Sequence, residues 1–485
     1  MLLSSSPAAR ARPAVWLSAG LAALSLSACA TVPHLGPKPQ AKPAESYATA
    51  KSFDAPQGDW PTDRWWDAYN DPQLSKLIDE ALASSPTLAQ AEARLRSADA
   101  QADVARGATL PSLDAKGSLS EEEQSRAIGF PPQFAQFLPK GYHDAGSVTL
   151  NGSYDLDLFG KNRAALAAAV SDREAARADA AQARLTLSTA VAQAYGDLLR
   201  VSAERDTAVE TLKDRTATAN LETQRVTNGL DTRGQADQAA AAVPSAQADV
   251  EALDAQVLVA RHRIAALLGQ GPDRGLDIAI PAGETIKPFG LPSNLAVNLI
   301  GRRPDVVAAR LRAQAAAKRI DVAHASFYPN ITLNAYIGQQ ALGLNQLFKP
   351  VASIGQIGPA IDLPIFEGGR LQGAYRGARA DYDGAVAAYD QTLTTALQDV
   401  ADAAVNVQSA SRQLDARRAS LAKGEAAFTS AKLRYEGGLS TYLDLLSAED
   451  AVILERRALA DAQAAAFTDD IALVRALGGG FANAS

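Results

Sequence analysis

Two stretches of this chain are copies of one another, and that copying constrains what the chain can fold into. Pro86 and Pro111 lie 25 residues apart, as do Pro304 and Pro329, and the second pair follows the first at an offset of 218. Around them SPTLAQAEARLRSADAQADVARGATLPSL (85–113) runs parallel to RPDVVAARLRAQAAAKRIDVAHASFYPNI (303–331). Two more segments recur in the same order, YDLDLFGKNR (154–163) against AIDLPIFEGGR (360–370) and RVTNGLDT (225–232) against RYEGGLST (434–441). Ordered landmarks of this kind mark a tandem duplication, and each copy is an incomplete wall of something larger.

Within each copy the hydrophobic period changes in a fixed order. Residues 72–108 are helical, and GSVTLNGSYDLDLF (146–159) then alternates strictly. Val148, Leu150, Tyr154, Leu156 and Leu158 share one face; Ser147, Thr149, Asn151, Ser153, Asp155 and Asp157 share the other, as in a half-buried strand of membrane-spanning length. Its partner is the weaker LDAKGSLS from Leu113, across a loop rich in Pro and Phe. The second copy gives ITLNAYIG (331–338), a shorter loop around LNQLFKP, and GQIGPAIDLPIF (355–366), where Ile357, Ile361, Leu363 and Ile365 share a face.

After each strand pair comes a very long helical stretch, about 160–228 and 368–436, roughly 100 Å at about 1.5 Å per residue. Each ends in a glycine turn, Asn228-Gly229-Leu230 or Gly437-Gly438-Leu439, and returns as a helix to about residue 269 or 477. The result is a helical hairpin with a small tip. Pro244, inside the first return helix, predicts a kink.

Four alternating strands cannot sit in lipid alone, because an open sheet leaves edge groups without hydrogen-bond partners. The smallest outer-membrane barrels use about eight strands, so several copies must share one barrel. Two copies give a filled interior, and three give room for a passage.

The left edge supplies an address. Arg10 and Arg12 precede an apolar run from Ala14 to Leu26, too short for a mature membrane span, which reads as a secretory signal over 1–28. It ends in LSAC (26–29), which resembles a bacterial lipobox with Cys29 as the lipidated first residue; ordinary cleavage at the small-x-small Ala28-Cys29-Ala30 is the alternative. Cys29 is the one cysteine, so no internal disulfide is available, and packing or oligomerisation must hold the chain. Several acyl chains at about 0.8 kcal/mol per buried CH₂ would anchor it stably. Ala30 after the cysteine favours the outer membrane, by resemblance to lipoproteins generally. Residues 29–61 carry six prolines between Pro33 and Pro61 and read as a tether without a core. Trp60, Trp65 and Trp66 follow, and would pin it to the body.

Composition excludes other classes. Without the two signal arginines the chain has 45 basic against 54 acidic residues, which disfavours nucleic acid and anionic membrane surfaces. Aromatics are only 6% and Ala dominates, which suits long helices packed closely. His34, His143, His262 and His324 show no metal-ligand spacing. There is no phosphate-binding glycine loop and no nucleophile elbow. Asp155 and Asp362 repeat between the copies, which favours polar lining over acid-base chemistry. The expectation is no enzyme, no catalytic or metal residue, and no cofactor beyond a covalent lipid on Cys29.

RRPDV (302–306), FYPNITL (327–333), LPIFEGGR (363–370), YDLDLFGK (154–161), RYEGGLSTYLDLLSAE (434–449) and WWDAYNDPQL (65–74) carry a resemblance. The chain resembles the TolC-like outer membrane factors, in the lipoprotein branch containing the NodT and OprM proteins. The resemblance covers essentially all of the mature chain. It implies a mainly α fold with membrane β: a homotrimer forming a twelve-stranded outer-membrane barrel continued by a long periplasmic α-helical barrel. It also implies a periplasmic adaptor and an inner-membrane pump as partners, and export of drugs or other small compounds. A type I protein-secretion duct and a non-conducting structural envelope lipoprotein are the alternatives. The expected organisation is a first repeat over 62–270, a linker over 271–300, a second repeat over 301–478 and a tail over 479–485. The resemblance puts the tips, 226–233 and 435–442, at the adaptor. It puts the periplasmic gate at Leu443 and Asp444, where similar proteins narrow their helical barrel with aspartates and apolar residues. Ser447 stands where relatives often carry another Asp, which leaves a looser gate or one that leans on Leu443. A closed ring of three Asp444 carboxylates would favour protonation or a bound cation.

Overall fold

Alternation forms the strands, and local turn chemistry ends them. The computed structural model describes residues 31–123, 125, 133, 137, 140–280, 290–292 and 295–482. Cys29 and the signal lie outside the described residues, as does most of the loop after the first strand. Strands β1 (Ser112–Glu122) and β2 (His143–Asp155) form one antiparallel hairpin, and β3 (Asn330–Leu342) and β4 (Ser353–Asp362) form a second. The hairpins join through β2 and β3 into one sheet of order β1-β2-β3-β4.

The register sorts the side chains. Leu150 lies opposite Ala115 on one side and Ile337 on the other, while Asn151 lies opposite Asp114 and Tyr336. Since successive residues face opposite ways, one face carries Leu113, Leu119, Val148, Leu150, Ile337 and Ile357, and the other carries Asp114, Ser118, Ser147, Asn151, Asn334 and Gln356. In the single chain β1 is exposed along its whole length.

The alternating sequence continues to Leu158 and Ile365, but the strands stop at Asp155 and Asp362. Asp157 takes a positive φ of 45°. Its carboxylate accepts from the backbone N–H groups of Asn162 (3.0 Å) and Arg163 (2.9 Å), and so opens the next helix.

The helices repeat the duplication in their lengths. Among the described residues the α-helices longer than one turn are, in chain order, α1 (Pro72–Ser84), α2 (Pro86–Gly107), α3 (Lys161–Thr227), α4 (Arg233–Leu267), α5 (Leu295–Arg302), α6 (Pro304–Ala325), α7 (Arg370–Glu436) and α8 (Tyr442–Ala476). The doubles α2 and α6 have 22 residues each, α3 and α7 have 67, and α4 and α8 have 35. Helix α4 runs through Pro244 without ending. Among the described residues no helix is long and apolar enough to cross a membrane.

The chain divides into two compact units. One comprises residues up to 40, 97–173 and 311–386, and holds the whole sheet. Within it the Pro-rich stretch is not a free tether. The Arg379 guanidinium, ion-paired with Asp383 at 2.8 Å, donates to the carbonyls of Gly36 and Pro37, and Tyr382 donates its hydroxyl to Pro39 O at 3.0 Å. Proline removes donors but leaves carbonyls, which these side chains capture.

The other unit comprises 41–96, 174–310 and 387–485. Here α1 starts at Pro72, with Asp71 as N-cap accepting from Gln73 N (2.8 Å) and Leu74 N (3.1 Å). Trp65 and Trp66 are buried edge-to-face at 5.6 Å, and Tyr69, whose hydroxyl donates to Asp470, packs on Phe467 at 5.1 Å. These rings fill the core between α1, α3 and α8 rather than clasping the tether. Trp60 lies beneath the Arg302 guanidinium at 4.7 Å and packs with Tyr47, Phe53 and Ala55 on a second core cluster. Arg303 is buried with Asp305 at 2.6 Å and Asp399 at 2.9 Å, so the RRPDV segment ties the start of α6 to α7.

Candidate functional site

Two surfaces carry the candidate residues, one in each unit. The first is the polar face of the sheet. Ser118 and Ser147 hydroxyls meet at 2.8 Å, Ser153 Oγ donates to Asn334 Oδ1 at 3.1 Å, and Asn330 Nδ2 donates to Asp155 Oδ2 at 3.1 Å. Asp114 carries the Lys116 ammonium at 3.7 Å. Asp155 and Asp362 both close strands on this face. The other face has no charge between Val148 and Gly152 or between Leu333 and Ala341.

The second surface is the pair of hairpin tips, where one local solution appears twice. Gly229 (φ 69°) and Gly438 (φ 73°) take the left-handed conformation just past α3 and α7. Gly229 N donates to Val226 O and Leu230 N to Arg225 O; Gly438 N donates to Tyr435 O and Leu439 N to Arg434 O. Each is a Schellman closure, which needs a residue free of Cβ strain. Thr232 and Gln235 then form a capping box that starts α4, and Thr441 and Asp444 form its double at α8. Asn228, Gly229, Leu230, Gly437, Gly438 and Leu439 are all exposed, with Leu439 at 74%.

On the first turns of α8, Tyr442 and Leu445 are buried, while Leu443 (66% exposed), Asp444 and Ser447 share the open side. The structure therefore brings the three gate candidates together on one helix face. Asp444 also caps the helix, a role that the Thr-x-x-Asp spacing of 441–444 signals: its carboxylate accepts from Thr441 N (3.0 Å) and the Thr441 hydroxyl (2.8 Å). Those donors, the backbone N–H first, hold its pKa below the usual carboxylate range in the single chain.

Behind the tips lies a polar cluster that the sequence did not reveal. The Arg225 guanidinium pairs with Asp231 at 3.3 Å and lies over the Tyr435 ring at 4.9 Å. Tyr435 and Tyr442 rings sit 6.2 Å apart, and the Tyr435 hydroxyl is buried without a partner. Glu222 is fully buried, and neither carboxylate oxygen meets a hydrogen-bond donor. Burial, and then the charge of Asp231, push its pKa up. Glu449 is raised by burial too, opposed by Arg215 at 3.3 Å. A spacing rule cannot find these residues, since Arg225 and Tyr435 come from different copies.

Among the described residues no group of His, Cys, Asp and Glu is set to hold a metal ion.

Comparison with known proteins agrees with this chemistry. A family model described as "Outer membrane efflux protein" matches residues 77–270 and 295–479. The chain is 36% identical over 366 residues to the fusaric acid resistance protein FusA of Burkholderia cepacia, across 74% of this chain and 68% of that one. It is 31% identical over 469 residues to the multidrug resistance outer membrane protein MdtP of Escherichia coli K12, across 94% of each. Among solved structures, the outer membrane protein VceC of Vibrio cholerae superposes with a TM-score of 0.81 at 41% identity, over 87% of this chain and all of that one.

Proposed function

This chain belongs to the outer membrane efflux protein family, and from that premise we propose that three copies share one outer-membrane barrel and one periplasmic helical conduit, through which small organic compounds leave the cell. The observation that carries the proposal is the sheet itself: one apolar face, one polar face and two open edges. In lipid the edges must pair, and three copies supply twelve strands with a polar interior wide enough to pass solute. A lipoprotein that only bridges envelope layers has no use for such a sheet.

The exposed tips at Gly229 and Gly438 serve as the contact for a periplasmic adaptor, which couples the duct to an inner-membrane pump. Leu443, Asp444 and Ser447 form the periplasmic gate. A covalent lipid on Cys29 adds a second attachment to the outer membrane. Relatives named for resistance to fusaric acid and to multiple drugs favour small compounds over a secreted protein as cargo.

Cells lacking this chain, challenged with a panel of amphipathic drugs and dyes, provide the test. Loss of the chain should raise accumulation and susceptibility, and the wild-type chain should restore both. Unchanged accumulation together with loss of a secreted protein would move the chain to type I secretion. Mass spectrometry of the N-terminal peptide checks the lipid, and an unmodified Cys29 thiol would remove it from the proposal.

A further inference from the structure

The internal duplication also fixes how one copy meets the next. Strands β1 and β4 are the two edges of the sheet. By sequence, β1 is the double of β3: each starts just after a matched proline, Pro111 or Pro329, at Ser112 or Asn330. Strand β4 is the double of β2, and each ends on the matched aspartate, Asp155 or Asp362. The β2–β3 pairing inside one chain is therefore the internal counterpart of a β4–β1 pairing between chains.

We propose that β4 of one copy pairs antiparallel with β1 of the next in the register carried over from β2–β3, so that Gly358 lies opposite Ser118 and Ile357 opposite Leu119. The internal counterparts of these two pairs are Asn151 opposite Tyr336 and Leu150 opposite Ile337. The register rests on the three-copy barrel proposed above and adds the geometry of its seam.

The internal repeat selects this register, and two physical checks are consistent with it. Parity is the first: an odd shift would turn the apolar residues of β1 toward the polar face, whereas here Ser118 and Gly358 stay on the polar side and Leu119 and Ile357 on the apolar one. Barrel closure is the second. Following the pairing across one copy leads from Ser112 to Ser153, Asn334 and Gly358, and then to Ser118 of the next copy, an advance of six residues. At about 4.8 Å between strands and about 3.3 Å per residue, three such steps in twelve strands tilt them by roughly 46°, close to the upper end of the usual range of about 35–45°.

A rival arises because the two hairpins are not in identical register: Ser112 pairs with Ser153, but its double Asn330 pairs with Asp362 rather than with Ala360. Matching the copies by their hairpins instead would put Gly358 opposite Ser120 and advance eight residues per copy. That tilts the strands by roughly 54°, well outside the range. The favoured register also sets Asp362 opposite Asp114, with the Lys116 ammonium already at Asp114 and diagonal to Asp362, where it offsets their repulsion.

Disulfide trapping tests the seam. Both positions face the polar side, where a soluble oxidant reaches them. A Cβ on Gly358 meets nothing within 4 Å. Full-length Gly358→Cys/Ser118→Cys is compared with Gly358→Cys/Ser120→Cys, with each single variant as a control for coupling to Cys29, after native mass measurement of every variant. Directly opposed residues fall within disulfide reach and diagonal ones at about 7–8 Å do not, so the first pair should give roughly tenfold more covalently linked trimer. Linkage through Ser120→Cys instead would overturn the register and leave the barrel intact. Trimers that neither pair can link would also overturn it. A monomeric native mass for wild type would instead remove the three-copy barrel on which the register rests.

Discussion

The guanidinium of Arg225 lies 4.9 Å from the centre of the Tyr435 ring, fastening the end of α3 in the first copy to the end of α7 in the second. The same guanidinium holds Asp231, whose side chain is 9% exposed. Arg225→Ala should therefore cost about 0.5–2 kcal/mol of cation–π attraction and about 1–3 kcal/mol for the Asp231 Oδ2 left without its donor, while Oδ1 keeps the Thr232 N–H. Hydrogen exchange should show faster opening at both tips, and reconstituted trimers should conduct more. Unaltered exchange at residues 226–233 and 435–442 would show that the contact fastens nothing.

Gly438 and Gly437 are neighbours with different duties. A Cβ on Gly438 meets nothing within 4 Å, but its φ of 73° strains any L side chain, whereas Gly437 has no positive φ. Gly438→Ala should cost about 1–2 kcal/mol, and Gly437→Ala should be milder. Gly438→Trp projects into open space at the tip proposed to contact the adaptor, so it should abolish drug resistance while trimers persist. Normal efflux with Gly438→Trp would count against adaptor contact at this tip.

Much of this was legible in the sequence, and the reasons are physical. Glycine past a helix end has one main use, so the tips at Gly229 and Gly438 were readable; period-two alternation likewise gave the four strands and their two faces. Leu156, Leu158, Leu363 and Ile365 were misplaced on strands because the alternation outlasts the pairing. At Asp157 a positive φ and a helix-capping carboxylate override it. The Pro-rich segment read as a coreless tether because the side chains that capture its carbonyls, Arg379 and Tyr382, stand more than 340 residues away. Arg225 stayed hidden for a related reason, since the Tyr435 ring beneath it comes from the other copy, and Glu222 did because burial of a helix-face glutamate leaves no mark in the sequence.

Glu222 gives a pH test. Its pKa is raised by burial first and by Asp231 second, so folding prefers the neutral acid. That contribution is fully present below the pKa of an unfolded glutamate and is lost as pH rises through the raised folded value. Glu222→Gln should keep it at every pH. Its melting temperature should exceed wild type at neutral pH, with the gap closing as pH falls toward about 4. A gap that stays constant or widens on acidification would show that Glu222 is not a buried, titrating acid.

Asp444 separates capping from gating. Asp444→Ala removes the capping box with Thr441, at about 1 kcal/mol, whereas Asn keeps a side-chain acceptor for the helix N-terminus. If three copies bring this carboxylate around the conduit, wild type should show low conductance reduced further by divalent cations, and Asp444→Asn should lose that block while melting like wild type. Equal block in both proteins would take Asp444 out of the gate.

The central claim is that copies of this chain close into a conducting duct, and planar-bilayer recording of the purified full-length protein tests it most directly. Insertion should give discrete conductance steps of one low size, enlarged by Arg225→Ala. Membranes that take up the native-mass assembly yet show no steps, with wild type and Arg225→Ala alike, would contradict it.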